Sequence, residues 1–426
     1  MVLVASFVAL GALWKTPQLE AHSTGLDLGQ VFSRLILGPL RVLVQAISVL
    51  LLALVFATAL VGTSDSRTNL APTWVYVIFW LGLPLLSVFF GNVWRALSPW
   101  GALADAFVWL WERGGRKARP LAVYSERFGR YPGAMALFAF VALELCYPDP
   151  SGPRVLAFAI ALYTYITLFG MLAFGRKTWS ERGEGFAILF AYIARIAPLC
   201  ERGGRIRIRV PLTGLAGAEP ARGSILFIAV ALGSVAFDGY SRTITWQDLV
   251  ARVEAPYVID RPGTGEILTT GLNLAGLTAA ILIVLGAYLA ACGLARSMVR
   301  TPRSLVPEFA LSLVPIALVY AVAHYFSLFV IQGQFMAPLA SDPFGRGWDI
   351  FGTAGVRPDI ALLTPNAIWY VQAGALVLGH VAGLAVAHDR AVGIFSDRED
   401  ALRSQYAMLA LMVAYTVGGL WLLSRG

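Results

Sequence analysis

The sequence predicts an all-α protein, a polytopic transmembrane helix bundle of about ten spans in which residues 1–426 form one integral membrane domain. Of its 426 residues, 58% are hydrophobic and only 14% are charged. Several uninterrupted apolar stretches reach the length of about 20 residues that a helix needs to cross the hydrocarbon core. No polar block between them is long enough to fold alone, so the composition excludes a soluble protein.

Ten apolar stretches define the predicted spans. Their bounds are Met1–Trp14, Pro39–Val61, Thr73–Trp94, Pro132–Pro148, Arg154–Gly175, Ser224–Asp238, Thr270–Leu294, Phe309–Gly333, Pro365–His388 and Gln405–Leu423. The first is too short to cross as a helix, and we expect further apolar residues upstream of it. A further apolar stretch, Phe186–Leu199, is also short and lies between two basic segments, so it is predicted to be an interfacial or re-entrant helix.

The net charge of +8 comes from Lys and Arg residues in short loops at span ends. These residues are not gathered in one patch beside stacking aromatics, so nucleic acid is not a predicted partner. Every second loop is strongly basic: one set of five carries 24 Lys and Arg residues, whereas the alternate set carries six. Positive residues face the cytoplasm, so both termini are predicted to lie outside and the lipid bilayer is the expected partner.

Ionisable side chains inside apolar spans are the candidates for function, because such groups are costly in hydrocarbon. Four positions qualify: Glu144, Asp238, His324 and His380. Glu144 suits either a protonated structural carboxyl or a member of a proton path. For His324 and His380, helix packing is the competing interpretation, and for Asp238 it is a local ion pair.

His324 follows Pro315 by nine residues, and proline removes a helix hydrogen bond and bends the span. A bent helix that carries histidine and the adjacent Tyr325 suits the wall of a cavity. Gln372 lies at a similar depth in the next span and is a candidate to meet His324 there. In the alternative, His324 only joins two helices.

Asp238 and Arg242 stand four residues apart at the predicted outer end of their span. A local ion pair explains them simply. Together with Asp342, Trp348 and Asp349 they would instead form a polar mouth above His324, beneath outer loops that also contain Trp246.

His380 lies between Gly379 and Gly383, a small-residue spacing that permits close helix approach. The histidine is then either a ligand or a hydrogen-bond anchor, and it is predicted to lie deeper than His324, too far away to share a metal ion. His388 and Asp389 form either a charge relay or a solvated helix end. Asp238, His324 and His380 are the candidate catalytic residues, and Arg242, Gln372, Trp348 and Tyr325 are candidates for substrate binding.

Several familiar motifs are absent from the sequence. There is no GxSxG elbow, no HExxH and no CxxC, and the chain has four histidines and three cysteines. A divalent metal remains possible, without assigned ligands, and the oligomeric state is not predicted.

Five stretches resemble a family of bacterial polytopic membrane proteins that are labelled fenitrothion hydrolase. They are FDGYSRT from Phe237, HYFSLFVIQGQ from His324, SDPFGRGWDIFGTA from Ser341, YVQAGALVLGHVAGLAVAHDRA from Tyr370 and RGEGFAILFAYIARIAPL from Arg182. The resemblance implies an enzyme of the inner membrane that hydrolyses a small apolar organophosphorus triester. It carries no catalytic residues over to this chain.

Three functions therefore compete. The first is a membrane hydrolase in which water, activated by His324 or by a metal ion, attacks phosphorus. The second is a transporter in which the same polar groups line a path and Glu144 or His380 relays protons. The third is a non-catalytic subunit of a membrane complex, whose polar residues only join helices.

The loop asymmetry leads to a topological prediction. A cysteine placed at Arg116 is expected to react with a membrane-impermeant reagent only after the cytoplasmic face is opened. Labelling of intact cells at this position would contradict the predicted orientation.

Overall fold

The computed structural model describes residues 1–115 and 117–423, so Arg116 lies outside the described part of the chain. The α-helices in chain order are α1 Val2–Leu13, α2 Gln18–Ala21, α3 Gln30–Leu35, α4 Arg41–Val61, α5 Leu70–Thr73, α6 Leu83–Phe90, α7 Trp94–Leu97, α8 Pro99–Arg113, α9 Tyr131–Cys146, α10 Pro153–Phe174, α11 Arg176–Arg182, α12 Gly185–Ile193, α13 Ser224–Ser241, α14 Ile244–Glu254, α15 Pro262–Ser297, α16 Leu305–Phe309, α17 Leu313–Gln332, α18 Met336–Ser341, α19 Pro365–Ile394 and α20 Arg398–Leu423. Two π-helical segments, Ile36–Leu40 and Trp74–Gly82, continue into α4 and α6.

Within the described residues, eight helical stretches are long and apolar enough to cross a membrane, which confirms the predicted helical class and eight of the apolar spans by length and composition. They are Gln30–Val61, Leu70–Phe90, Pro153–Phe174, Ser224–Ser241, Pro262–Ser297, Leu305–Ser341, Pro365–Ile394 and Arg398–Leu422. The other two predicted spans correspond to the shorter apolar helices α1 and α9. At 1.5 Å per residue, α1 is about 18 Å long.

Helices α17 and α19 pack closely at two glycines of α19. A Cβ atom at Gly379 would lie 1.9 Å from the Val319 side chain, and one at Gly383 would lie 2.7 Å from the Ser312 carbonyl oxygen. Only glycine permits this approach, so Gly379 and Gly383 form a helix-packing seam beside His380. Pro315 stands in the first turn of α17, directly after the 3₁₀ turn Ala310–Ser312, where a backbone N–H would lack a partner within α17.

Helix α12 is short and largely buried among the long helices. Its predicted range, Phe186–Leu199, was too long: the helix ends at Ile193, and Leu199 begins a strand. Arg209 stabilises the segment at its C-terminal end, where carbonyl groups lack helix partners. Arg209 donates to the carbonyl oxygens of Ala194, Arg195 and Ala197, and Arg195 donates to that of Gly214.

A small antiparallel sheet, which the sequence analysis did not predict, has the order β1-β3-β2. Its strands are β1 Leu26–Asp27, β2 Leu199–Arg202 and β3 Arg205–Ile208. Gly203 and Gly204, with φ of +61° and +71°, form the two-residue turn between β2 and β3. Two consecutive positive φ angles are typical of the tight hairpin turn that glycine pairs favour.

Contacts between loops group them at two ends of the bundle. At the end that we name the Asp238 end, Phe344 and Pro343 accept backbone hydrogen bonds from Thr63 and Leu70, and Arg154 donates to Gly62. At the opposite end, the Asp389 end, Asp27 pairs with Arg205, Arg95 with Glu201, and Arg390 with Glu308. These contacts join the strongly basic loops to one another, so these loops lie together at the Asp389 end.

Asp389 attaches the N-terminal segment to α19. Its Oδ1 atom accepts hydrogen bonds from Trp14 Nε1 and from the backbone N–H groups of Gln18 and Leu19, and its Oδ2 accepts one from Glu20. His388 lies between the Trp14 carbonyl oxygen, 3.0 Å away, and Gln405 Oε1, 3.2 Å away. The interpretation of His388 and Asp389 as a solvated helix end was therefore wrong, because α19 continues to Ile394 and both side chains are buried.

Replacement of Asp389 by Ala is expected to release this segment. Hydrogen bonds to a charged acceptor contribute about 1.5–3 kcal/mol each, so the loss of four should destabilise the fold by at least about 3 kcal/mol. Trypsin should then cut faster after the exposed Lys15. Asp397→Ala, which removes one hydrogen bond to Asp400 at an exposed site, is the control and should leave the cleavage rate unchanged. Equal rates in the two variants would contradict this role of Asp389.

Candidate functional site

The candidate site is built around Asp238, in the last turn of α13. A carboxylate near a helix C-terminus finds no free backbone N–H groups and faces the negative end of the helix dipole. Two cationic or titratable partners compensate for this. Arg242 Nε donates to Asp238 Oδ1 at 3.2 Å, and His324 Nε2 lies 2.7 Å from Oδ2.

Asp238 and His324 form a buried acid–base pair, which we call the dyad. Their side chains are 5% and 10% exposed. The Nε2 and Oδ2 atoms are at ion-pair distance, although their alignment is not that of a straight hydrogen bond. Since Nε2 faces the carboxylate, the tautomer with the proton on Nε2 is favoured, and Nδ1 is then the free base.

A small cavity lies against His324. Its volume is about 10 Å³, close to the lower limit for one water molecule. It is lined by Gly239, Tyr320, Ala323, His324, Leu376 and Leu422. His324 Nδ1 makes no hydrogen bond to any described residue, so a water molecule in this cavity is a candidate partner for the ring.

Tyr325 and Glu144 extend the dyad into α9. The Tyr325 hydroxyl group donates to Glu144 Oε1 at 3.4 Å and also lies close to Asp238. The Tyr325 ring packs edge-on against the His324 ring, with centroids 4.9 Å apart. Two acids, a phenol, an imidazole and the Arg242 guanidinium group therefore occupy one region between α9, α13 and α17.

None of the other three candidates makes a hydrogen bond to a described residue of this cluster. His380 is fully buried, and its Nδ1 atom bonds to the Leu376 carbonyl oxygen at 2.8 Å, beside the glycine seam. Gln372 makes no hydrogen bond to a described residue. Trp348 is 42% exposed and packs against Phe344 in a loop next to α4 and α5.

Asp342 and Asp349, which the polar-mouth alternative would have placed beside Asp238, make their hydrogen bonds within their own loop. Asp342 accepts hydrogen bonds from the backbone N–H groups of Arg346 and Gly347, and Asp349 accepts one from Ala354. These carboxylates stabilise turns of their own loop. Among the described residues, no group of three His, Cys, Asp or Glu side chains is arranged to hold a metal ion.

A groove does open beside Asp238, which we call the Trp246 groove. Its volume is about 360 Å³, within the range of small-molecule sites. Its walls come from α13, α14 and α15 and from the end of α9, and its lining residues are Leu145, Ser241, Trp246, Gln247, Val250, Ala251, Glu254 and Asn273. Among these lining residues, only Trp246 was named from the sequence, as part of the outer loops above the possible polar mouth.

Glu184 is a buried carboxylate that the sequence analysis did not select. It caps α12, where it accepts hydrogen bonds from the backbone of Phe186 and Ala187, and it also accepts from Trp94 Nε1 and from the Tyr163 hydroxyl group. Burial raises the pKa of Glu184, whereas these hydrogen bonds oppose the shift. An acidic residue directly before an apolar run was the available sequence signal. All four hydrogen bonds cap α12 or attach it to neighbouring helices, so Glu184 has a structural role.

Comparison of the chain with protein-family models, with curated proteins and with solved structures found no match.

The dyad should be visible as an energetic coupling between Asp238 and His324. Either single Ala substitution leaves a buried polar partner unpaired, so the double variant should be less destabilised than the sum of the singles, by about 1–3 kcal/mol. Thermal unfolding in detergent measures this coupling. The exposed pair Glu399 and Arg403 is the control, for which no measurable coupling is expected. Additivity at both pairs would show that Asp238 and His324 do not interact.

Proposed function

We propose that this chain is a membrane-embedded hydrolase, similar to the fenitrothion hydrolase family, that cleaves an organophosphorus triester with water activated by the dyad. The observation that carries the proposal is the buried pairing of His324 Nε2 with Asp238 Oδ2 at 2.7 Å, which leaves Nδ1 without a described partner. A carboxylate that orients imidazole in this way fixes its tautomer and stabilises the imidazolium that forms when the ring accepts a proton.

In the proposed step, His324 Nδ1 removes a proton from the water as its oxygen bonds to phosphorus. The bond between phosphorus and the aryl oxygen breaks, and the phenolate leaves. The imidazolium then releases its proton to solvent or to the phenolate. Water and triester thus give a diester and a phenol, and Asp238 stabilises the imidazolium through its charge.

Arg242 is the candidate for stabilising negative charge on the phosphoryl oxygen. Its Nε atom bonds to Asp238, and its side chain is 55% exposed, so its terminal N–H groups remain available at the Asp238 end. Tyr325 is proposed as a positioning residue, because it packs against the imidazole and joins it to Glu144. His380 is proposed to have a packing role.

We further propose that the chain crosses a bacterial inner membrane ten times as a single domain, with α1 and α9 as the two short crossings and α12 as a re-entrant helix. The basic loops support a cytoplasmic Asp389 end, so both termini and the dyad would lie toward the outside. A lipid-soluble triester reaches that depth from the outer leaflet.

Proton-coupled transport is the second candidate. The observation that favours it is the proximity of Glu144, Tyr325, Asp238 and His324, a sequence of titratable groups of the kind that carries protons through membranes. In that case the dyad would bind and release protons without activating water.

His324→Ala should reduce release of nitrophenol from a nitrophenyl phosphorothioate by about 10²–10⁴-fold, since a general base contributes on that scale. His22→Ala, at an exposed loop position, is the control and should retain full activity. Release of nitrophenol is followed by its absorbance, and thermal unfolding checks the fold of both variants.

Full activity of His324→Ala would remove this residue from the mechanism. If the wild type hydrolyses no triester with or without added divalent metals, the hydrolase proposal fails. Proton uptake into vesicles that depends on Asp238 and His324 would then favour transport, and its absence would favour a non-catalytic subunit.

A further inference from the structure

We propose that the Trp246 groove is a recognition site for the aromatic part of an uncharged ester. This inference names the substrate class of the proposed hydrolase and rests on that function, although binding in the groove can be measured without turnover. Under the proposed topology, the groove opens at the outer surface beside the dyad.

The position of the groove connects it to the dyad. Ser241, one helical turn after Asp238, donates its hydroxyl hydrogen to the Asp238 carbonyl oxygen and lines the groove. Leu145, which also lines it, directly follows Glu144. The groove therefore borders the ends of α13 and α9, the two helices that carry Asp238 and Glu144, although neither carboxyl group lines it.

Trp246 is held in a fixed orientation. Its ring packs edge-on against Phe237 and tilted against Tyr240, with centroids 5.4 Å and 5.6 Å away, and its Nε1 atom donates to Asn273 Oδ1 at 3.0 Å. A Cβ atom at Gly276 would lie 2.5 Å from this ring, so the glycine permits its close packing. A preordered indole gives a ligand apolar surface at little entropic cost.

The polar groups of the groove suit a hydrogen-bond acceptor without negative charge. Asn273 keeps its amide N–H groups after its oxygen accepts from Trp246, and Gln247 makes no side-chain hydrogen bond to a described residue. Both can donate to an uncharged acceptor oxygen on the ligand. The single charged lining residue is Glu254, and no Lys or Arg lines the groove. Glu254 would repel an anion, so the groove should accept a triester and reject the diester product.

Protection of an introduced cysteine tests this site. Val250→Cys places a thiol in the groove, and Val356→Cys places one in an exposed loop on the proposed outer side as the matched control, both in a Cys200→Ser background. The rate of maleimide labelling is measured with diethyl phenyl phosphate, which is neutral, and with ethyl phenyl phosphate, which is anionic.

The neutral ester should slow labelling at position 250 by about fivefold when its concentration is about four times its Kd, and should not affect position 356. The anionic ester should give no protection until Glu254 is replaced by Gln. Gly276→Ala, which displaces the Trp246 ring, should remove protection by the neutral ester while the protein stays folded.

Equal protection by the two esters, or protection at neither or both positions, would overturn the proposal. Protection should persist in His324→Ala, and its loss there would show that the ligand binds at the dyad instead of the groove. Persistent protection in a wild-type protein without turnover would contradict the hydrolase function and leave the groove proposal standing.

Discussion

The candidate site depends on the burial of one carboxylate at an unfavourable place. Asp238 lies at the C-terminal end of a helix, where the backbone offers carbonyl groups and no free N–H donors. Its charge must therefore be balanced by side chains from outside that turn. One partner is His324 of α17, and the other is Arg242, which directly follows α13. This requirement brings α13 and α17 together and orients the imidazole.

Two other buried carboxylates show why Asp238 is the candidate for chemistry. Glu184 and Asp389 each accept four hydrogen bonds, mainly from backbone N–H groups and indoles, which do not titrate near neutral pH. They attach α12 and the N-terminal segment to the long helices. Asp238 instead contacts a histidine, the side chain that titrates most readily. All three carboxylates are buried, so burial does not identify the functional one. The side chain that each carboxylate contacts does.

The packing of glycines explains why the two intramembrane histidines differ. Gly379 and Gly383 bring α19 against α17, so His380 is enclosed and bonds within its own helix. His324 lies on α17 toward α13 and borders a cavity. A substrate with an aromatic ring is far larger than that cavity of about 10 Å³, whereas the Trp246 groove of about 360 Å³ is large enough. Under the two proposals, the groove would bind the aromatic part of the ester, and the dyad would activate the water that attacks phosphorus.

The sequence by itself determined the helical class, the apolar spans and the choice of Asp238 and His324, because long apolar runs and rare intramembrane charges are local signals. It also contained the glycine spacing beside His380 and the ion-pair spacing of Asp238 and Arg242. Tertiary structure alone decided the contacts over long sequence distances. Asp389 meets Gln18 across 371 residues, and Tyr325 meets Glu144 across 181. Trp348 shared a predicted end of the bundle with His324 but packs against Phe344, because position along a span does not specify which neighbour a side chain contacts. That choice follows from helix packing, which no local pattern encodes.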